Sequence, residues 1–88
     1  MTYGLIIRKA AESDIRDAYF YYETCRQGLG QEFMLSLDAM LTRISRAPDQ
    51  YRNLHRDIRR AALQRFPYSI FFIVRSSTVV VLAVMHAR

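Results

Sequence analysis

The chain has 88 residues, enough for one domain (1–88) in which only about 60–65% of the unfolded chain's surface can be buried. A hydrophobic fraction of 51% excludes general disorder, and the single cysteine, Cys25, excludes an internal disulfide and fits a reducing compartment. The start, Met1-Thr2-Tyr3-Gly4, lacks the basic segment and apolar stretch of a secretory leader, and the longest apolar run, 79–85, is too short to cross a bilayer. A soluble cytoplasmic protein without membrane contact is expected.

The net charge is +5, and its placement says more than its size. Up to Pro48 six basic side chains balance six acidic ones; beyond it seven arginines face only Asp49 and Asp57. Arginine presents a planar, permanently charged fork suited to phosphate or carboxylate. The imbalance points to an acidic partner surface or nucleic acid, or else to a solubilising basic surface.

Residues 3–9 read as a first strand, on β-favouring Tyr3, Ile6 and Ile7. From Ala11 the period changes. Ile15, Ala18, Tyr19 and Tyr22 form one helical face, with Glu12 and Asp14 in the first turn where acids suit the dipole. Gly28 and Gly30 bracket a break. Phe33, Leu37, Met40, Leu41 and Ile44 then mark a second helical face, with Arg43 and Arg46 near its C-terminus, and Pro48 closes it. So short a break predicts a helical hairpin. The aromatic stripe Tyr19, Tyr22 and Phe33 is read as core packing.

The remainder reads as sheet. Residues 51–54 fit a loop or a short strand, and residues 58–66 a strand with weak alternation. Tyr68–Arg75 is almost continuously apolar, as expected of a strand buried on both faces. Ser76-Ser77 leaves room for a hairpin turn into the last strand, Thr78–His86. The expected fold is α+β, ordered β-α-α-β-β-β, with a helical hairpin packed on a largely antiparallel twisted sheet and the two apolar strands at its middle.

Glycine-rich phosphate loops, metal-ligand spacings and Gly-x-Ser-x-Gly elbows are all missing, so neither cofactor nor metal is expected. His55 and His86 lie far apart, without a carboxylate at ligand spacing. Three local features remain: Ile58-Arg59-Arg60, whose arginines must point to opposite faces of a strand; the basic-aromatic corner Arg65-Phe66-Pro67-Tyr68; and the terminal Val84-Met85-His86-Ala87-Arg88, where His86 and Arg88 share a face. His86 is read either as a strand-end residue with a hydrogen-bonded ring or as part of a contact surface with Arg88.

Together, Asp14-Ile15, Tyr21-Tyr22, Ile58-Arg59-Arg60, Phe66-Pro67-Tyr68-x-Ile70 and the closing His86-Ala87-Arg88, in this order on this element pattern, resemble the RelE/ParE toxin superfamily, and its ParE branch most. The resemblance implies the toxin of a type II toxin–antitoxin system that inhibits DNA gyrase by binding, without a catalytic centre. A ParD-like antitoxin would neutralise it and link it indirectly to operator DNA. RelE-like members are instead ribosome-dependent messenger ribonucleases, which need an acid, a base and cations around the phosphate. Here the one lysine is Lys9, read as lying on the first strand, and no tyrosine follows Tyr68, so the cations persist without the acid/base pair. A ribonuclease using His86 or His55 is the alternative, and a non-toxic antitoxin-binding scaffold and co-repressor the second. Arg59, Arg65, Arg75, His86 and Arg88 are the candidates for the toxic surface. Tyr21, Met34 and Leu35 are candidates for antitoxin contact, or else simply cover the thin core. Family members commonly continue past the last arginine, so on that pattern a short C-terminal tail would be missing.

Overall fold

The first change of period is where the backbone turns from strand to helix. In a computed structural model, which describes residues 2–87, β1 (Gly4–Ile7) is followed by α1 (Lys9–Cys25), α2 (Leu29–Arg46), a 3-10 turn (Pro48–Gln50), β2 (Arg52–His55), β3 (Ile58–Ala62), β4 (Tyr68–Arg75) and β5 (Thr78–His86). The sheet has five strands in the order β1-β5-β4-β3-β2. Pairing is antiparallel except between β1 and β5, which run parallel. The two apolar strands therefore sit at and beside the centre, and residues 51–54 resolve into an edge strand.

Several local boundaries differ from expectation for physical reasons. Lys9 opens α1 rather than ending the strand, and Asp14 lies in the second turn of α1. There its carboxylate accepts the Val84 N–H at 3.0 Å, fastening α1 to β5 instead of serving the helix dipole. Gly28 does supply the break, in the left-handed region at φ 89°. Gly30 is inside α2 and buried. A Cβ there would stand 2.8 Å from the Tyr19 carbonyl oxygen, so the glycine is required by helix approach rather than by a turn. The Glu23 carboxylate, near the end of α1, accepts the N–H groups of Gly28 and Gly30 at 2.9 and 3.0 Å, capping α2 from across the connection.

Strand β3 ends at Ala62, well short of residue 66, because the chain folds inward to bury Leu63 and Phe66. The Leu63 N–H still donates to the Tyr68 carbonyl at 2.9 Å and holds that corner closed. Ser76 and Ser77 have φ of 49° and 66°, the two left-handed positions that a tight turn between twisted strands demands.

The core lies between the hairpin and one face of the sheet. Phe33, Leu37 and Ile44 of α2 meet Ile70 and Phe72 of β4 and Val79 and Val81 of β5, all essentially inaccessible. Phe71 pairs with Ala83 but Phe72 pairs with Val81, which leaves Leu82 as an extra residue. This bulge reverses the alternation, so Val79, Val81 and Val84 can all face inward. The expectation that β4 is buried on both faces is corrected here. Phe71 and Ile73 are only half-buried, because no helix among the described residues covers that side.

Candidate functional site

The residues singled out from sequence do not form one cluster. His86 ends β5 beside Tyr68, where β4 begins, and their rings meet edge to face at 5.2 Å. The Ala87 N–H donates to the Pro67 carbonyl at 2.6 Å and ties the end of β5 to the corner. Behind this pair lies an aromatic stack. Tyr22 lies 5.5 Å from Phe33 and 4.9 Å from Phe66, and Tyr68 lies 5.3 Å from Phe33. Tyr22 and Phe33 thus take the packing role expected of them, whereas Tyr19 lies in the groove with Ile15 and Phe20, its ring edge against Phe20.

Arg65 projects from the same corner, with its guanidinium 5.6 Å from the Phe66 ring centroid. It donates to Glu32 at 2.8 Å, while Arg26 reaches the other oxygen of that carboxylate at 3.4 Å. The hydrogen bond from Arg65 is the main cause that holds Glu32 below its ordinary value, with Arg26 adding to it and burial opposing. Arg75 lies at the opposite end of β4, seven residues from Tyr68 or roughly 23 Å along the strand, and pairs with Asp57 at 3.5 Å. Arg59 occupies the inner side of β3, the side of Ala61, and donates to the Tyr51 carbonyl at 2.7 Å. Arg88 lies outside the described residues.

The phenols around the corner are held protonated. Burial raises Tyr68, helped by the negative potentials of Tyr21 and Asp17, and burial likewise raises Tyr22. Tyr21 is raised chiefly by its hydrogen bond with Cys25. At neutral pH these groups are packing and hydrogen-bonding surfaces rather than phenolate bases. His55 and His86 cannot act on one bond. His55 lies in the row of Ile58 and His86 in the row of Tyr68, which separates them by roughly 17 Å along the strands. Among the described residues no His, Cys, Asp and Glu side chains cluster as a metal site, and no helix is long and apolar enough to cross a membrane.

The three residues proposed for antitoxin contact mark three flanks of the hairpin. Tyr21 and Leu35 are each 61% exposed. Tyr21 lines a cleft with Asp17, Met85 and His86; Met34 faces the groove of Ile15, Tyr19 and Phe20; Leu35 borders Gln64 and Arg65. Met34 also packs against the core.

A second basic region escaped the sequence reading. Arg52 of β2 lies directly opposite Arg60 of β3, and Arg60 lies opposite Phe71. Arg59 and Arg60 do point to opposite faces, but Arg60 is the one that meets another arginine. Only the clustering of arginine after Asp49 hinted at it, since opposition depends on register.

The family model described as the ParE toxin of the type II toxin–antitoxin system parDE matches residues 5–88. Toxin ParE2 of Mycobacterium tuberculosis, in strains CDC 1551 / Oshkosh and ATCC 25618 / H37Rv, is 28% identical over 87 residues, spanning 98% of this chain and 83% of that protein. A chain from the chromosomal ParDE toxin–antitoxin system of P. aeruginosa superposes with a TM-score of 0.88 at 16% identity, over 99% of this chain and 98% of that one. At that identity the structural likeness speaks for the fold.

Proposed function

Because this chain belongs to the ParE toxin family of type II toxin–antitoxin systems, we propose that it inhibits DNA gyrase by binding and is neutralised by a ParD-like antitoxin, which also links it to operator DNA. The observation that carries this reading is the family match along residues 5–88. The chemistry of the corner supports a binding mode over hydrolysis. Tyr68 is held protonated and meets His86 through ring edges, and Lys9 sits exposed at the start of α1, away from the arginine-bearing strands. Arg65, Arg75 and His86 are exposed and remain our candidates for target contact, with Arg88 beyond them. Arg59 is the weakest candidate, since its guanidinium already serves the Tyr51 carbonyl.

An amphipathic antitoxin segment anchors through apolar side chains at helical spacing. Tyr21, Met34 and Leu35, each bordering a different cleft on the hairpin flanks, are our candidates to receive them. The test is a gyrase supercoiling assay with purified protein at micromolar concentration. Loss of supercoiling with accumulation of cleaved DNA, relieved by the product of the adjacent gene, is expected. Undiminished supercoiling would overturn the gyrase reading, and codon-linked cuts in translated messages would favour a ribonuclease.

A further inference from the structure

Cross-strand neighbours on one face of an antiparallel pair stand close enough to interact, and like charges there are destabilising. The register of β2 on β3 nevertheless sets Arg52 directly against Arg60. Both side chains are exposed, and no carboxylate separates them. Among the described residues the ion pairs involve Arg26, Arg65 and Arg75, and none involves Arg52, Arg56 or Arg60. Asp57, the one acid in the β2–β3 turn, is engaged by Arg75. Arg56 in the same turn holds φ at 55°, a conformation uncommon for a long side chain. The edge thus carries an uncompensated pair of guanidinium groups, Arg52 and Arg60, with Arg56 in the adjoining turn, and bound phosphate would relieve the repulsion of the pair.

We propose that this β2–β3 edge binds the phosphate backbone of single-stranded nucleic acid, with Arg52 and Arg60 gripping phosphate and the neighbouring Phe71 ring receiving a base. Guanidinium forks bind phosphate oxygens in pairs. Phe71, half-buried on the uncovered sheet face and in register with Arg60, adds the stacking platform that strand-tracking proteins place beside such cations. An acidic amphipathic peptide fits less well. It needs apolar anchors, and the other exposed large apolar side chains lie away from this edge, Phe20, Tyr21 and Leu35 on the helices, Leu5 and Ile6 on β1 at the opposite edge and Met85 near the end of β5, whereas β2 is polar except for Leu54. The proposal does not rest on gyrase as the target, since binding is read on the toxin alone.

The test is fluorescence anisotropy with a labelled oligothymidylate of about 12 nucleotides, titrated with the full chain across salt. Binding should weaken with salt on a log–log slope near −1.4, about 0.7 for each of two phosphates. Arg52→Gln/Arg60→Gln should weaken binding at least about tenfold and flatten the slope, while its melting temperature holds or rises because the repulsion is gone. Arg8→Gln/Arg46→Gln, which removes equal charge from the helix side, should change affinity less than about threefold. Absence of binding at low salt, or equal losses in the two double variants, would overturn the proposal. So would displacement of the oligonucleotide by a polyglutamate peptide at equal charge, which would assign the edge to an acidic protein.

Discussion

The inner and outer faces of β4 carry similar side chains and meet different fates. Ile70 and Phe72 point into the core and are fully buried, whereas Phe71 and Ile73, one residue away from each, remain half-exposed. The same division runs through β3, where Ala61 is buried and Arg60 exposed. One helical hairpin on one side of a sheet makes this difference, so apolar content alone does not tell a core strand from a strand with a working surface.

The largest test of that contrast is substitution on the two sides. Phe72→Ala should cost about 3–5 kcal/mol in urea unfolding, since it opens a cavity beneath the hairpin. Ile73→Ala should cost only about 1–2 kcal/mol. Comparable losses would mean that the outer face is covered as well. The hairpin's own dependence on close approach comes next. Gly30→Ala should lower stability by about 1–3 kcal/mol, because the new methyl meets the Tyr19 backbone carbonyl, which cannot swing away, as well as the Glu23 and Tyr19 side chains. An unchanged unfolding midpoint would show that α1 and α2 can separate freely.

The smallest effect belongs to the exposed Glu32 cluster. A carboxyl group held low in the folded state contributes stability above its ordinary value of 4.5 and loses it as pH falls through the lower folded value. Glu32→Gln should therefore shift the melting temperature by no more than a few degrees at pH near 7. The gap between parent and variant should close as pH falls from about 5 toward about 3. A gap that persists in acid would assign the effect to packing around Arg65 instead of charge.

Much of the fold was legible because hydrophobic period is local. The spacing of Phe33, Leu37, Met40, Leu41 and Ile44 marked a helix face, and all five are buried. The glycines and the acids were harder to read. Gly30 looked like a break yet serves a helix contact, and Asp14 looked like a dipole partner yet holds the Val84 N–H, seventy residues away along the chain. Of the candidate residues, Arg65 and His86 share one corner, while Arg59 and Arg75 are engaged elsewhere. Nothing in their spacing could have separated them, since each sits on a strand or turn whose neighbours are set by pairing.

The sequence by itself determined the element order apart from the edge strand β2, the two helical faces, the basic second half and the resemblance to ParE toxins, since all of these are carried by residue type and short-range period. Tertiary structure decided which face of the sheet stays open and where the Leu82 bulge turns Val84 inward. It also set Arg52 against Arg60. A change of one residue in register moves every side chain of a strand to the other face, and that register is fixed by contacts between segments rather than within them.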